Sequence, residues 1–428
     1  MSLAALSFGI DLPADRPKTQ VRAIPGWEWV LAGLCTIQMS EPLFAAIFVG
    51  QGIYEPQPIA RLMWLPVYAF VFAMLLRDWR QALAMARRSV LLLGLIGLAA
   101  LSVRWSVAPD DTVRRVIGMG LTMGFSTYLA WRYSWTQLLS LLSGAWAVFV
   151  IGSYVFAIFF APWHVMRDEH PGAWSGLWTH KNTLAAMMAF GVIVLTSSCV
   201  VNPQQRWWQI PVLFGAIGLI LLSTGKTGLL AATAGIGVIA ITWGMRRGPV
   251  VMTVFAAGGF AITVLLAVLI FLFPGVLVAL IGRDLTFTGR TDIWHSLVRA
   301  IEARPLLGYG FGAFWLDPNG PRFWVQRDVA WKVIGAHNGW METMLAVGKV
   351  GVSLLGVQVA VTAARAARFA LSPTAGVLAP AVVVAMLIYS FSESYLFTQN
   401  MFWVLYIIVA LKLAIAARPV PGVLAEST

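Results

Sequence analysis

Charge is what this sequence has least of. Asp, Glu, Lys and Arg make up 11% of its 428 residues, less than half the roughly 25% of ordinary soluble domains. A chain this poor in charge and 59% hydrophobic cannot clothe itself in a water-compatible surface, so a soluble enzyme or binding module is excluded. Cysteine is also scarce: Cys35 and Cys199 both fall inside apolar runs, which excludes a disulfide framework and a Cys-based metal site. The five histidines include no pair with zinc-like spacing, and no acidic cluster resembles a calcium or magnesium site. The period-two alternation of barrel strands is missing as well.

What the chain has is a series of apolar runs of about 20 residues, each a transmembrane-helix candidate. Helices satisfy their own backbone hydrogen bonds in lipid, so the expected fold is an all-α integral membrane protein. We expect twelve spans, at about 27–50, 58–76, 89–105, 113–131, 136–161, 182–202, 207–223, 226–245, 250–273, 337–363, 374–392 and 400–417. Residues 1–26 and 418–428 are then tails on one side. No small-residue cleavage site precedes Trp27, so the first span is expected to be retained.

The short loops set the orientation. The face holding both tails and the loops at 77–88, 132–135, 203–206, 246–249 and 364–373 carries fifteen of the 30 Lys and Arg. Only Asp11, Asp15, Glu28, Asp78 and Glu426 oppose them there. Short basic loops stay in the cytoplasm, which makes this face cytoplasmic and accounts for most of the net charge of +12. Nucleic-acid binding is therefore not implied.

The other face keeps cations that topology does not explain. They gather in a large external segment, about 274–336, between the ninth and tenth spans, and at three span openings. Within the segment, Ile293, Trp294, Leu297, Val298 and Ile301 form one stripe of a short amphipathic helix, ended by Pro305. Arg290 stands at its start, where a planar guanidinium and a helix N-terminus both favour phosphate; pairing with Asp292 or Glu302 is the bland alternative. Gly308-Tyr309-Gly310-Phe311-Gly312 reads as a flexible aromatic turn, wrongly spaced for a dinucleotide loop.

Ala336-His337-Asn338 opens the tenth span. A helix N-terminus disfavours a positive imidazole, which suits His337 to act as a general base, and a capping role is the alternative. Glu342, one turn on, needs a partner, with a nearby base the first candidate. Ser223-Thr224-Gly225-Lys226-Thr227-Gly228 resembles a P-loop but has Ile at position 220, where that motif needs glycine. What remains is Lys226 at a helix start, able to bind phosphate as a point charge. Trp174 to Asn182, with Trp178, His180, Lys181 and Asn182, places aromatics beside polar groups, as sugar-stacking platforms or interfacial anchors. Glu393 ends the eleventh span on the same face.

In this order, His180-Lys181-Asn182, Ser223 to Gly228, Gly289-Arg290-Thr291-Asp292-Ile293-Trp294, Pro305 to Gly312 and His337-Asn338 resemble the bacterial O-antigen ligase and Wzy-type polysaccharide polymerase family. Trp105-Ser106 followed by Arg114-Arg115 fits the same pattern, and the likeness extends over about residues 90–412. It implies a glycosyltransferase of the inner membrane, 27–417, that takes a glycan from undecaprenyl diphosphate at the periplasmic face. Neither nucleotide sugar, cofactor nor metal is implied. The expected partners are the lipid-linked oligosaccharide, membrane lipids, and a flippase and chain-length regulator of the same pathway.

Within the resemblance, Arg290 and a second basic residue bind the diphosphate and His337 is the candidate base; we expect Lys226 to be that second residue, with Lys181 helping to bind the diphosphate. We expect His180, Asn182, Trp294, Asn338, Glu342 and Glu393 to bind or orient substrate, and Glu342 or Glu393 to orient His337 or the acceptor. Many members carry Arg where this chain has Lys226, and the His-Lys-Asn run looks more like an exopolysaccharide polymerase than a ligase. A ligase acting on lipid A-core is the alternative. A flippase or transporter is the alternative from another class, although its ionisable residues belong near the bilayer midplane rather than at one face.

Overall fold

The computed structural model describes residues 23–41, 62–160, 164–167, 170–254, 257–258, 290–317, 319–329 and 333–417. Residues 1–22, most of the expected ninth span and the first part of the external segment lie outside them. The described residues are helical, with one isolated antiparallel bridge between Val165 and Trp174. The principal helices are α1 (Gly26–Gln38), α2 (Leu65–Arg77), α3 (Trp79–Ala86), α4 (Val90–Leu101), α5 (Pro109–Arg132), α6 (Trp135–Phe159) and α7 (Lys181–Val201). They continue with α8 (Arg206–Leu222), α9 (Lys226–Met245), α10 (Arg290–Ala303), α11 (Pro321–Val329), α12 (Gly339–Arg368), α13 (Ala375–Ser390) and α14 (Met401–Ala417).

Five helical stretches are long and apolar enough to cross a membrane: Trp135–Phe159, Lys181–Val201, Pro203–Leu222, Lys226–Met245 and Gly339–Arg368. A sixth is reached if the pair Trp79–Ala86 and Val90–Trp105, bent by 90°, is one span. Shorter apolar helices, α2, α13 and α14, accompany them. This is the architecture of a multi-pass membrane protein; the full count of twelve crossings stays an expectation.

Packing follows hydrophobicity. Nearly every residue of α14 is buried, as is most of α7, as befits helices that are apolar all round. Around them the outer helices leave Phe72, Phe159, Trp207 and Phe214 more than 60% exposed, an apolar girdle suited to lipid.

The two ends of the bundle carry different polar networks. At one end the fully buried Glu28 accepts hydrogen bonds from Arg132 Nε (2.6 Å), Tyr128 Oη (2.7 Å) and Arg77 Nη2 (3.2 Å). Arg77 and Arg132, from the loops at 77–88 and 132–135, converge on one carboxylate, because a buried charge is costly unless paired. Lys412 joins this end by donating to the Tyr133 carbonyl at 2.7 Å.

The other end is built around a broken helix. Gly348, inside α12, has φ 66° and ψ −165°, a conformation open essentially to glycine alone. The break frees backbone groups that a lipid-embedded helix must satisfy. Residues 305–310 supply the partners. Tyr309 and Gly310 donate N–H to the carbonyls of Leu345 (2.7 Å) and Ala346 (3.0 Å), and Lys349 donates to the Pro305 carbonyl (2.8 Å). The glycine-rich turn is therefore a wedge fixed in a helix break, contrary to the flexible turn read from its composition. It is also held from the residues just after α4, Trp105 Nε1 donating to the Leu307 carbonyl (3.0 Å) and Phe311 N to Ser102 Oγ (2.9 Å).

A Cβ at Gly348 would lie 2.2 Å from the Leu306 carbonyl carbon and oxygen. Gly348→Ala should cost about 1–3 kcal/mol from backbone strain alone, with the clash in addition. A lower melting temperature in detergent and faster proteolysis between 305 and 329 would register it; an unchanged melt would show that the break is not needed.

Over this end α10, α11 and the wedge share a small core of Ile293, Leu297, Tyr309, Phe314, Trp315 and Val325, completed by Leu345 of α12. The amphipathic stripe is mostly as expected. Val298 is the departure, 45% exposed, while Ser296 is buried and donates to Asp328 at 2.7 Å.

Candidate active site

Four separate stretches of chain meet at Glu393, in the loop after α13. Arg290, the first residue of α10, donates from Nη2 to Glu393 Oε1 at 2.9 Å and from Nη1 to the Ser392 carbonyl. Asn182, in the first turn of α7, donates from Nδ2 to the same Oε1 at 3.2 Å. His337 Nδ1 lies 3.1 Å from Oε2. Arg290 is thus paired 103 residues away, and neither Asp292 nor Glu302 is its partner.

Burial pushes the Glu393 carboxyl up. The hydrogen bond and charge of His337, with the charge and hydrogen bond of Arg290, outweigh burial and hold the group below the ordinary carboxylate range. With Glu393 ionised, Nδ1 of His337 is the proton-bearing nitrogen and Nε2 is left as the acceptor, the arrangement of a carboxylate-oriented base. The sequence expectation relied on the helix N-terminus to keep the imidazole neutral. The structure adds an anion against the ring.

Because the folded pKa of Glu393 lies below its unfolded value, its stabilising contribution is complete above the unfolded value, about 4.3 for Glu. It is lost as pH falls through the folded value. Wild type should therefore melt above Glu393→Gln at pH values above about 5, with the margin closing below about pH 4. Thermal melts across that range test this; a margin already gone at pH 6 would mean that Glu393 is not held ionised.

The backbone around His337 is fixed from both sides. His337 itself has φ 48°, a left-handed conformation rare for residues other than glycine. Trp294 Nε1 donates to the carbonyl of Ala336 at 2.9 Å, and Asn338 Oδ1 caps α12 by accepting from Trp340 N (3.0 Å) and Met341 N (3.1 Å). Trp294 and Asn338, expected to touch or orient substrate, thus position the histidine. Glu342 accepts from Trp315 Nε1 (2.8 Å) and Ala336 N (3.0 Å), and the nearby bases expected of it are Arg115 and His337, its charged neighbours.

On the α7 side, Lys181 is 5% exposed and donates from Nζ to Thr224 Oγ1 at 3.1 Å. Thr224 has φ 55° and lies in the tight turn before Lys226, the exposed first residue of α9. The turn packs so closely that a Cβ on Gly228 would stand 2.8 Å from the Ala185 carbonyl oxygen. The two lysines are thereby brought to one turn, and Asn182 links that turn to Glu393. His180 caps α7, Nδ1 accepting from Asn182 N at 3.1 Å. Trp178 serves neither as platform nor as surface anchor: it is 4% exposed and donates to the Ser40 carbonyl at 2.8 Å.

The arrangement is a carboxylate-held imidazole beside a fixed guanidinium, with two ammonium groups on the neighbouring turn. It can take a proton at one point and meet developing negative charge at another. Residues 211–356, which include Lys226, Arg290 and His337, match the family model described as O-Antigen ligase. Exopolysaccharide production protein ExoQ of Rhizobium meliloti (strain 1021) is 25% identical over 305 residues, covering 68% of this chain and 67% of that protein.

Proposed function

With the O-antigen ligase and Wzy-type family supported by both comparisons, we propose that this membrane protein is a polysaccharide polymerase. It transfers a growing glycan from undecaprenyl diphosphate to the next lipid-linked repeat unit at the periplasmic face. The observation that carries this reading is the convergence of Arg290, Asn182 and His337 on Glu393, with the Lys181 turn alongside.

In the reaction, a hydroxyl of the acceptor sugar attacks the anomeric carbon of the donor glycan. Its proton passes to His337 Nε2 as the new C–O bond forms. The bond from the anomeric carbon to the diphosphate oxygen breaks, and undecaprenyl diphosphate leaves with the electron pair. Arg290, Lys181 and Lys226 meet the charge that develops on that oxygen, the kind of preorganised stabilisation that accounts for much of enzymatic rate enhancement. Glu393 keeps the imidazole oriented and balances its charge. The likeness to an exopolysaccharide production protein favours polymerisation; the family model's description favours a second reading, ligation to lipid A-core.

Purified protein in liposomes with a lipid-linked repeat unit decides among the readings. Polymerase predicts chains of increasing length without a second protein. Product only when lipid A-core is added would establish the ligase, and movement of the substrate across the bilayer without new glycosidic bonds would make the protein a transporter.

A further inference from the structure

A cavity of about 170 Å3 opens beside this cluster. Gly335, two residues before His337, and Ser394, next to Glu393, both line it. Further polar wall comes from Arg115 of α5, Glu342 and Thr343 of α12, and Thr398 and Gln399, just before α14. Hydrogen bonds give the region an order: the Lys181–Thr224 pair, then Asn182, then Glu393, then His337, and beyond it the backbone N–H of Ala336 that Glu342 accepts. In that order Lys181 and Asn182 come before the imidazole, and Glu342, which lines the cavity, comes after it.

The cavity walls are unlike those of an anion or lipid site. Arg115 makes no hydrogen bond or ion pair among the described residues, its charged neighbours being Asp111 and Glu342, so its five N–H donors are available to a ligand. The Gln399 amide is likewise uncommitted among those residues. Glu342 accepts from Trp315, Ala336 and, at 3.5 Å, Ser394, yet a carboxylate has about four acceptor positions. Trp315 and Phe311 add aromatic surface. A phosphate would meet the Glu342 carboxylate, and an acyl chain would leave these polar groups unmatched. A sugar ring fits both needs, since its hydroxyls donate as well as accept and its C–H faces lie on aromatics. At about 30 Å3 per water, the space is that of five or six waters, enough for one ring.

We propose that this cavity is the subsite for the terminal sugar of the acceptor, with Arg115 and Gln399 donating to its hydroxyls and Glu342 accepting from one. The assignment rests on the glycan-transfer reading above and adds to it a residue, Arg115, whose part is specificity. Two glycines keep the cavity open. A Cβ on Gly118 would stand 1.6 Å from Gln399 Nε2, and one on Gly312, at φ 68°, 2.4 Å from Arg115 Cδ.

The test is calorimetric titration of the full-length protein in detergent with two probes: inorganic pyrophosphate, and an oligosaccharide from partial acid hydrolysis of the host's own polymer. Arg115→Met keeps the side-chain stem against Gly312 while removing the donors. It should weaken oligosaccharide binding about tenfold to a hundredfold, the usual loss of charged hydrogen bonds, and leave pyrophosphate binding unchanged. Gly118→Ala, which displaces Gln399 without altering any charge, should weaken the oligosaccharide in the same sense. Arg290→Ala should do the reverse, losing pyrophosphate and keeping oligosaccharide. Unchanged oligosaccharide affinity in Arg115→Met, no oligosaccharide binding by wild type, or a parallel loss of pyrophosphate would each overturn the assignment. Failure of Arg290→Ala to affect pyrophosphate would strike the diphosphate reading alone.

Discussion

Membranes carrying Arg290→Ala should elongate a lipid-linked repeat about 10²–10³-fold more slowly than wild type, the usual cost of removing one preorganised partner of a developing anion. The guanidinium is spatially fixed before substrate arrives, its side chain 17% exposed and tied to Glu393 and the Ser392 carbonyl. Little reorganisation is then needed when the diphosphate departs. Arg290→Lys keeps the charge but loses the planar fork, and so should fall between the two. The substitution also removes one of three partners of Glu393, leaving Asn182 and His337. Melting curves of the two variants separate lost folding from lost chemistry. Normal elongation by a folded Arg290→Ala protein would remove Arg290 from the mechanism.

His337→Ala should reduce the same rate by about 10²–10⁴-fold, the contribution typical of a positioned general base. Two residues that act as one unit are not additive, which sharpens the expectation. Glu393→Gln should by itself slow transfer, because an amide can present its N–H to Nδ1 and select the wrong tautomer. Combined with His337→Ala it should add little further loss. Additive losses in the double variant would place Glu393 in substrate binding and not behind the histidine. Donor affinity, read with pyrophosphate, should change little in His337→Ala, whereas it should fall in Arg290→Ala.

Much of this site can be read along the chain because its members sit at helix openings, where polar residues interrupt apolar runs. Lys181, Lys226 and Arg290 begin α7, α9 and α10, and His337 stands just before α12. Such residues stand out against a chain that is 59% hydrophobic. Arg115 does not stand out in the same way: it follows Arg114 in a charged helix start, and only the tertiary structure distinguishes Arg114, paired with Asp111 at 3.2 Å, from Arg115, which lines the cavity. Trp315 and Gln399 carry no local signal at all. Ser102 and Trp105 were equally illegible as partners of the wedge, since their contacts span 209 and 202 residues. The hydrogen bonds of Trp294 and Asn338 were illegible for a related reason, because residue type shows what a side chain can bond and not what reaches it first.

By itself, the sequence determined that this protein is helical and membrane-embedded, for scarce charge and long apolar runs leave the backbone no other way to satisfy itself in lipid. It also determined where polar chemistry would be concentrated, since ionisable groups are tolerated only at the ends of such helices or in pairs. Only the tertiary structure decided the pairing: that Glu393 holds Arg290 and His337 together, that Glu342 turns to a cavity with Arg115, and that a glycine-rich segment fills the break in α12. The physical reason is distance along the chain. Periodicity and composition register forces among near neighbours, whereas a hydrogen bond between residues 103 apart exists only after the helices have packed.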